Sequence, residues 1–255
     1  MKRFEDKTVI VTGGGGGIGS ASCLRLAAEG ARVAVLDRDL DTAQKTVEAV
    51  RQAGGQAAAF ACDITDRTQV DAAVAAVQAQ LGPVAALVNN AGWDVFKPFL
   101  KTSPAEWDKL IAINLTGALH MLHAVLPGMV ERGYGRVVNV ASDAARGGSS
   151  GEAVYSACKG GLLALSKTLA REHARHAITV NAVCPGPTDT ALLADVAEGA
   201  RDPAKLIEAF RSAIPLGRLG QGDDLASAIA FFASDDAGFV TGQVLSVSGG
   251  LTMHG

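Results

Sequence analysis

The feature that most constrains the fold is a run of glycines between an apolar stretch and a helical pattern. Residues 8–11 read Thr-Val-Ile-Val, and Thr12-Gly13-Gly14-Gly15-Gly16-Gly17-Ile18-Gly19 follows directly. Glycine permits a tight turn, and a helix N-terminus supplies unpaired N–H groups for a pyrophosphate. A flexible turn would also be glycine-rich, but the position after a strand and before a helix indicates a dinucleotide site. Its candidate residues are Gly13, Gly16, Gly17, Ile18 and Gly19.

Six further apolar runs alternate with amphipathic segments along the chain. Together with the first, the runs are residues 8–11, 33–36, 57–61, 86–88, 136–140, 179–183 and 244–247. Between them, apolar residues recur every three or four positions, as at Leu40, Ala43 and Val47. This alternation predicts an α/β fold with a doubly wound parallel sheet of about seven strands and helices on both faces. The length of 255 residues predicts a single domain over residues 1–255.

Charge and composition exclude several classes of function. The net charge is −3, and 23 basic residues are set against 26 acidic ones, so we expect no nucleic-acid partner. No apolar stretch approaches the roughly 18 residues of a membrane span, and the N-terminus does not resemble a signal peptide. We therefore expect a cytoplasmic protein with no membrane partner. The four cysteines form no C-x-x-C pair and the five histidines lack a third ligand cluster, so we expect no metal.

Polar residues follow the second, third and fourth strands, where ligands bind in folds of this type. Asp37 ends the second strand, and a carboxylate there accepts both ribose hydroxyls of NAD and repels the 2′-phosphate of NADP. Arg38 complicates this prediction, because a basic residue in that place can hold NADP. Asp63 follows the third strand, where it equally suits the N-cap of a helix over residues 65–81. Asn90, Ala91 and Gly92 follow the fourth strand.

A candidate acid/base pair lies later in the chain. Tyr155 and Lys159 are four residues apart and share one face of a predicted helix. A neighbouring ammonium favours phenolate, so we expect Lys159 to lower the pKa of Tyr155 from about 10 toward neutrality. Ser142 ends the fifth strand, where its hydroxyl is placed to hold a substrate oxygen. Asn114 interrupts an apolar helix, and either a functional amide or a hydrogen-bonded core amide explains it.

The set of motifs as a whole resembles the short-chain dehydrogenase/reductase family from end to end. The residues that carry the resemblance are Thr12-Gly13-x-x-x-Gly17-Ile18-Gly19, Asn89-Asn90-Ala91-Gly92, Asn114, Ser142, Tyr155-x-x-x-Lys159 and Pro185-Gly186. The resemblance implies a Rossmann-type fold and hydride transfer between a secondary alcohol and NAD. Thr188 departs from the family pattern, in which an aliphatic residue is common, whereas Thr190 fits the family's nicotinamide-binding threonine.

The resemblance also implies individual roles. Tyr155 takes the alcohol proton, Ser142 orients the substrate oxygen, Lys159 binds the nicotinamide ribose, and Asn114 holds a water that links Lys159 to solvent. The implied cofactor contacts are Ile18, Asp37, Asp63, Ile64, Asn90, Tyr155, Lys159, Pro185, Gly186, Thr188 and Thr190.

The substrate pocket is expected to combine residues 93–99, residues 143–152 and a lid over residues 188–213. The stretches 92–99, 142–146 and 185–190 resemble family members that oxidise cyclic β-hydroxyacyl-CoA thioesters, which implies a CoA thioester substrate. A 3-oxoacyl thioester reductase and a secondary aryl-alcohol dehydrogenase are the nearest alternatives, and a non-catalytic dinucleotide sensor is a remote one. The resemblance suggests a homotetramer, and the apolar segments 225–232 and 244–250 suggest burial against a symmetry mate.

Overall fold

The computed structural model of the chain describes residues 2–198 and 202–253. Within those residues, seven strands form one parallel sheet in the order β3-β2-β1-β4-β5-β6-β7, which confirms the predicted fold class. The strands are β1 (Thr8–Thr12), β2 (Arg32–Asp37), β3 (Gln56–Ala61), β4 (Val84–Asn89), β5 (Gly135–Val140), β6 (Ile178–Pro185) and β7 (Val244–Val247). Each predicted apolar run lies inside one strand, and most strands extend one or two residues further.

Helices cover both faces of this sheet. They are α1 (Gly17–Ala28), α2 (Leu40–Gln52), α3 (Arg67–Leu81), α4 (Pro104–Ile111), α5 (Gly117–Arg132), α6 (Ala144–Gly147), α7 (Ala153–His173), α8 (Ala191–Glu198), α9 (Pro203–Ala213) and α10 (Gly222–Ala233). The helices α1, α2 and α10 pack on one face, and α3, α5 and α7 pack on the other.

Alternate residues of the central strands belong to two separate hydrophobic clusters. Val9 and Val11 of β1 lie in the cluster beneath α1, α2 and α10, whereas Ile10 lies in the cluster on the opposite face. Val35 and Leu36 of β2 divide in the same way. Because both faces are covered, a central strand needs apolar residues at every position, which explains the continuous runs in the sequence.

The order of the strands creates the crevice that holds the site. The strands β2 and β3 lie on one side of β1, and β4 to β7 lie on the other. The connections that follow β1 and β4 therefore lead away from each other at the carboxyl ends of these two strands. This divergence is the topological switch point where ligands bind in open α/β sheets.

The helices α4 and α5 are joined by a π-helical turn, Ala112–Thr116, into one continuous helix. This helix, Pro104–Arg132, is long and apolar enough to cross a membrane by length and composition alone, a test that core helices also pass. Met121, Val125 and Met129 on α5 are buried in the cluster against the sheet. Packing within the chain therefore explains much of its apolar character.

The apolar pattern over residues 225–232 has an explanation within the chain. Leu225, Ile229 and Phe232 of α10 are buried in the same hydrophobic cluster as residues of α1. The expectation that a symmetry mate covers this segment was therefore wrong for these side chains, since the chain's own helices cover them. The neighbouring strand β7 is only partly buried, and Leu245 on it is exposed.

Candidate active site

A cleft of about 1130 Å³ opens at the carboxyl ends of the strands. Nearly all residues predicted from the sequence line it, namely Gly13, Gly16, Gly17, Ile18, Asp37, Asp63, Ile64, Asn90, Ala91, Gly92, Ser142, Tyr155, Lys159, Pro185, Gly186, Thr188 and Thr190. Gly19 and Asn114 lie behind the wall of this cleft. A Cβ on Gly19 would meet the Gly13 carbonyl oxygen at 2.1 Å, so Gly19 supports the glycine turn from inside.

The glycine turn has a backbone that only glycine adopts easily. Gly13 and Gly17 have positive φ angles of 61° and 53°. A Cβ on Gly13 would lie 2.9 Å from the Ala91 Cα, so the turn after β1 presses against the segment that follows β4. The Asn90 side chain fixes this contact by donating from Nδ2 to the Thr12 and Gly13 carbonyls at 3.0 and 3.1 Å.

The N-terminus of α1 differs from those of α2 and α3. Asp39 and Asp66 cap α2 and α3 by accepting hydrogen bonds from backbone N–H groups of the first turn. At α1 the N-cap is Gly16, which has no side chain to do this, and a Cβ there would meet no atom within 4 Å. The free N–H groups and open space at Gly16 suit the pyrophosphate of a dinucleotide.

The carboxylate at the end of β2 is held from two sides. Asp37 accepts hydrogen bonds from the backbone N–H of Gly15 at 3.0 Å and of Asp39 at 3.1 Å. These bonds tie the glycine turn to the start of α2 and fix the carboxylate at the wall of the cleft. Arg38 lines the same part of the cleft. Both residues considered from the sequence therefore line the cleft, and their contacts with an adenosine ribose stay a prediction.

Asp63 forms a turn before α3 and is not the N-cap of that helix. Its Oδ1 accepts from the Thr65 N–H and hydroxyl at 2.9 and 2.7 Å. The helix begins two residues later than expected, at Arg67, because Asp66 provides the cap. The neighbouring Ile64 carbonyl contacts His120 Nδ1 at 3.0 Å. The N-cap alternative for Asp63 was therefore wrong, although its side chain does stabilise the local turn.

The segment after β6 closes one side of the cleft. The Pro185 carbonyl accepts from the Asp143 N–H at 2.9 Å, which joins the ends of β5 and β6. Thr188 pairs with Gly220 in an isolated parallel bridge. A Cβ on Gly17 would lie 3.2 Å from Thr190 Cγ2, so this segment approaches the glycine turn across the cleft.

The predicted lid contains the helices α8 and α9. Residues 199–201, between them, lie outside the described residues. Thr188, Thr190, Leu192, Leu193, Val196 and Phe210 from the predicted lid line the cleft. The segment is therefore placed beside the cleft as expected, and its action as a lid stays a prediction.

The structure brings three of the predicted catalytic side chains together. Ser142 follows β5 and lines the cleft together with Tyr155 of α7, where it opposes the rise in the Tyr155 pKa. Lys159, one helical turn further along α7, lies with Nζ 5.6 Å from the centre of the Tyr155 ring. Its ammonium also donates to the Val140 carbonyl at 3.0 Å. The helix thus presents a phenol and an amine on one face, beside the hydroxyl at the end of β5.

Asn114 lies in the π-helical turn and is 1% exposed. Its Nδ2 donates to the Trp93 and Leu110 carbonyls at 2.7 and 3.0 Å, and its Oδ1 accepts from the Trp93 N–H at 3.2 Å. A Cβ on Gly92 would meet Asn114 Oδ1 at 3.0 Å and Lys159 Nζ at 3.4 Å. Asn114 is thus a hydrogen-bonded core amide that also approaches Lys159. The structural alternative for Asn114 is therefore confirmed, and its functional role stays a prediction.

Burial is the largest influence on the pKa values of both Tyr155 and Lys159. Burial lowers the pKa of Lys159 to about 8, because a low-dielectric surrounding disfavours the charged amine. Burial also raises the pKa of Tyr155 above its usual range, and the Asp94 and Glu152 carboxyls raise it further. The expectation that Lys159 brings the pKa of Tyr155 toward neutrality is therefore not met in this structure. The sequence did not indicate that two carboxyls oppose the ammonium.

The sequence did not indicate the role of two further groups of residues that line the cleft. Asp94 and Glu152 lie within the predicted pocket segments, but nothing in the sequence indicated that both line the cleft and raise the pKa of Tyr155. Leu251, Thr252 and Met253 line the cleft near α9, and no sequence motif marked them. Within residues 2–198 and 202–253, no group of three or more His, Cys, Asp or Glu side chains is arranged to hold a metal ion.

Comparison with known proteins agrees with this geometry. A protein-family model described as enoyl-(acyl carrier protein) reductase matches residues 14–252. An acetoacetyl-CoA reductase of Rhizobium meliloti is 41% identical over 245 residues, which cover 96% of this chain and 98% of the relative. A 2-(S)-hydroxypropyl-CoM dehydrogenase of Xanthobacter autotrophicus is 36% identical, with 98% of both chains covered.

A solved structure gives the same answer for the fold. The crystal structure of levodione reductase superposes with a TM-score of 0.94 at 34% sequence identity, covering 97% of this chain and 98% of that one. The family match, the relatives and the arrangement of the cleft lead to one conclusion. The chain belongs to the short-chain dehydrogenase/reductase family, whose members are oxidoreductases that use a nicotinamide dinucleotide.

Proposed function

We propose that the protein is an NAD-dependent dehydrogenase of a cyclic β-hydroxyacyl-CoA, of the 2-hydroxycyclohexanecarboxyl-CoA type, and forms the β-ketoacyl-CoA. The observation that carries the reaction type is that Ser142, Tyr155 and Lys159 line one cleft, with Lys159 Nζ 5.6 Å from the centre of the Tyr155 ring. In this arrangement Tyr155, as its phenolate, would accept the proton of an alcohol whose oxygen also meets the Ser142 hydroxyl.

The residues of the chain divide the work of alcohol oxidation. When bound, NAD would supply the hydride acceptor for the reaction. Tyr155 receives the proton of the substrate hydroxyl, and Ser142 donates to the same oxygen as its charge develops. Lys159 holds the nicotinamide ribose hydroxyls and remains close to Asn114, which we propose connects it to solvent through a water.

Asp37 supports NAD as the cofactor. Its carboxylate is fixed at the cleft wall by two backbone N–H groups, so it is positioned to accept from ribose hydroxyls. The same negative charge disfavours a 2′-phosphate at that place. Arg38 lies in the same region, and it is the residue that would hold the 2′-phosphate if NADP were bound.

An apolar wall supports the choice of a ring-bearing acyl group. Leu192, Leu193, Val196, Phe210 and Met253 line the cleft. Such a surface stabilises a saturated ring by burying apolar area, at about 25 cal/mol per Å². Two relatives whose names specify thiol-carrier substrates, a CoA reductase and a CoM dehydrogenase, add support for a thioester or thioether tail.

The direct test is a turnover screen with NAD and with NADP. The substrates are 2-hydroxycyclohexanecarboxyl-CoA, a linear 3-hydroxyacyl-CoA and 1-phenylethanol, and NAD(P)H absorbance is the readout. We expect the cyclic CoA ester with NAD to give the highest kcat/KM. If 1-phenylethanol reacts as well as either CoA ester, the acyl-CoA assignment is wrong and the aryl-alcohol one replaces it.

The screen also compares substrates with thioester tails of different length. A CoA tail that binds between the predicted lid and residues 93–99 supplies binding energy that positions the reacting carbon. We expect the CoA ester to exceed its N-acetylcysteamine analogue by about 100-fold in kcat/KM. Equal values for the two esters would remove the argument for CoA recognition.

A second candidate function follows from the relatives. Acetoacetyl-CoA reductases match over nearly the whole chain, which favours reduction of a linear 3-oxoacyl thioester as the alternative. A higher kcat/KM for acetoacetyl-CoA with NAD(P)H than for the cyclic ester with NAD would select it. A non-catalytic sensor role would require dinucleotide binding without turnover of any substrate in the screen.

We propose a homotetramer as the assembled form. Phe99, Leu100, Phe239 and Leu245 are exposed apolar side chains on the isolated chain, and burial between copies would cover them. Light scattering at micromolar concentration measures the mass directly. A monomer under these conditions contradicts the proposal.

A further inference from the structure

The turn that carries Ser142 is joined by side chains to the last strand of the sheet. Ser246 lies on β7, at the edge of the sheet, and its hydroxyl donates to Asp143 Oδ1 at 2.5 Å. Arg146, in α6, donates from Nη1 to the Ser246 hydroxyl oxygen at 3.0 Å. Because an arginine only donates and a carboxylate only accepts, the Ser246 hydrogen is committed to Asp143. A row of hydrogen bonds therefore runs from α6 through β7 to the turn.

This contact spans a strand that backbone pairing leaves in between. Ser246 is in register with Cys184 on β6, and β6 separates β7 from β5 in the sheet. The bond from Ser246 thus reaches past the end of β6 to the residue that follows Ser142. Backbone bonds already join β6 to β5 and to β7, so the side-chain contact is not required to hold the strands together. It acts instead on the turn where β5 has ended.

The Asp143 carboxylate depends on its hydrogen-bond donor because it is buried. The residue is 7% exposed. Ser246 donates to Oδ1, whereas Oδ2 has no hydrogen-bond partner in the part of the chain that the structure describes. Taking a donor away from a buried carboxylate is strongly unfavourable. Loss of the Ser246 hydroxyl should therefore displace the Asp143 side chain.

The backbone on both sides of Asp143 orients the Ser142 hydroxyl. Ser142 Oγ accepts from the Ala144 N–H at 3.2 Å, and the Asp143 N–H donates to the Pro185 carbonyl at 2.9 Å. The accepted bond leaves the hydroxyl hydrogen of Ser142 for the substrate oxygen. A displaced Asp143 would shift the Ala144 N–H and with it the direction of this hydroxyl.

We propose that Asp143 and Ser246 are positioning residues that hold the Ser142 hydroxyl in the direction needed to meet the reacting oxygen. The last strand of the sheet thereby contributes to the active site, although Ser246 is not among the described residues that line the cleft. The proposal rests on the role of Ser142 in the proposed function and not on the identity of the substrate. A misplacement of about 1 Å can cost about 100-fold in rate, so a partial shift should lower kcat markedly.

The kinetic test asks whether the effect of Ser246 passes through Ser142. The probe is whichever of 2-hydroxycyclohexanecarboxyl-CoA, 3-hydroxybutyryl-CoA and 1-phenylethanol gives the highest kcat/KM. We expect Ser246→Ala to lower kcat about tenfold and to leave the dinucleotide Kd within about threefold. Ser246→Thr keeps the hydroxyl and should restore most of kcat. In a Ser142→Ala background, Ser246→Ala should cost little more, because the group that it positions is gone.

A control variant removes a different hydrogen bond next to the same strand. Gln243 donates from Nε2 to the Thr241 carbonyl at 3.2 Å, just before β7. Gln243→Ala should therefore retain kcat. A merely structural role for Ser246 predicts an equal loss with Ser142 present and absent, and that result would overturn the proposal. An unchanged kcat in Ser246→Ala would overturn it as well.

A crystal structure of Ser246→Ala tests the proposal without any substrate. Compared with the parent in the same crystal form, we expect Ser142 Oγ to lose its bond to the Ala144 N–H and to move by about 1 Å. If this variant does not fold, Asp143→Asn/Ser246→Ala replaces it, since no buried carboxylate then lacks its donor. An unmoved Ser142 hydroxyl contradicts the proposal. If no probe turns over, the proposed function fails, and the position of Ser142 still decides this inference.

Discussion

The two ends of the cleft present different chemical groups to a ligand. At the dinucleotide end, the glycine turn and the N-terminus of α1 offer backbone N–H groups and space, and the nearest fixed charge is the Asp37 carboxylate. At the substrate end, buried side chains from several segments meet, among them Asp94, Tyr155 and Lys159. The first end recognises a ligand by backbone shape, and the second adjusts proton affinity by burying charges next to each other.

The largest effect is expected at the substrate end, from Tyr155→Phe. The change removes only the hydroxyl that exchanges a proton with the substrate, so turnover should fall about 10³-fold. Dinucleotide affinity should remain within about threefold, because backbone groups at the other end supply most of that binding. Steady-state NADH formation and a dinucleotide titration measure the two effects.

A matched control exists in the other tyrosine. Tyr134 donates to Asp235 at 2.8 Å and does not line the cleft. Tyr134→Phe should therefore retain turnover. Activity of Tyr155→Phe within tenfold of the parent would show that another group carries the proton.

The next effect is expected at the dinucleotide end, from Gly19→Ala. A Cβ there would meet the Gly13 carbonyl oxygen at 2.1 Å and Asn90 Nδ2 at 2.7 Å, so the turn must shift. We expect a loss of about 3 kcal/mol in the free energy of unfolding, at the upper end for overpacked sites. Thermal unfolding and denaturant titration measure this loss.

Gly16→Ala, in the same turn, should weaken dinucleotide binding with little effect on the stability of the fold. A Cβ on Gly16 meets no protein atom within 4 Å and points into open space at the N-terminus of α1. Its unfolding free energy should change by less than about 1 kcal/mol, while dinucleotide affinity falls, because the methyl takes room at the helix N-terminus. Equal destabilisation by Gly16→Ala and Gly19→Ala would contradict this account of the turn.

The contrast between the two ends also explains what the sequence could reveal. The strands and the glycine turn were predictable, because local periodicity and glycine placement determine them. Tyr155 and Lys159 were visible as a pair, since one helix carries both at a spacing of four. The effect of Asp94 and Glu152 on the Tyr155 pKa was not visible, because only the folded chain brings their two segments together, as the bond from the Lys97 N–H to the Gly151 carbonyl shows.

Two predictions from the sequence were wrong because they depended on neighbours that only the folded structure shows. Asp63 was weighed as a helix N-cap, but Asp66 competes for that position three residues later, and local sequence does not rank two such carboxyls. The direction of the Tyr155 pKa shift was wrong because a spacing of four residues reports the ammonium and says nothing of burial. Predictions that depend on the sequence of a single helix, strand or turn were correct. Predictions that depend on which other parts of the chain pack around that element were wrong.

Asp37→Ala is expected to weaken NAD binding about 30-fold, since hydrogen bonds to a charged acceptor are worth about 1.5–3 kcal/mol. Relative preference should move toward NADP, because the repelling carboxylate is gone and Arg38 remains in the same region of the cleft. The ratio of kcat/KM for the two dinucleotides measures the change. A parent enzyme that already prefers NADP would show that Arg38 dominates this end.

The smallest expected loss of catalytic efficiency is at the C-terminal segment, at the substrate end of the cleft. Gly249 and Gly250 have φ angles of 62° and 90°, which let the chain turn back after β7. The Leu216 N–H donates to the Gly249 carbonyl at 3.1 Å, so the turn is held against the residues that follow α9. This path brings Met253 to the rim of the cleft, where its side chain is 79% exposed.

An exposed methionine at the rim of a binding cleft offers apolar area that a bound ligand can cover. We expect Met253→Ala to lower kcat/KM for the thioester about fivefold, corresponding to roughly 1 kcal/mol of apolar contact with bound substrate. The dinucleotide Kd should not change, since Met253 lies at the other end of the cleft from Asp37 and the glycine turn. Leu216→Ala is a suitable control, because that side chain is also exposed on the supporting loop but does not line the cleft. An equal loss in both variants would indicate a general effect of the loop, and a changed dinucleotide Kd would show that the two ends are coupled.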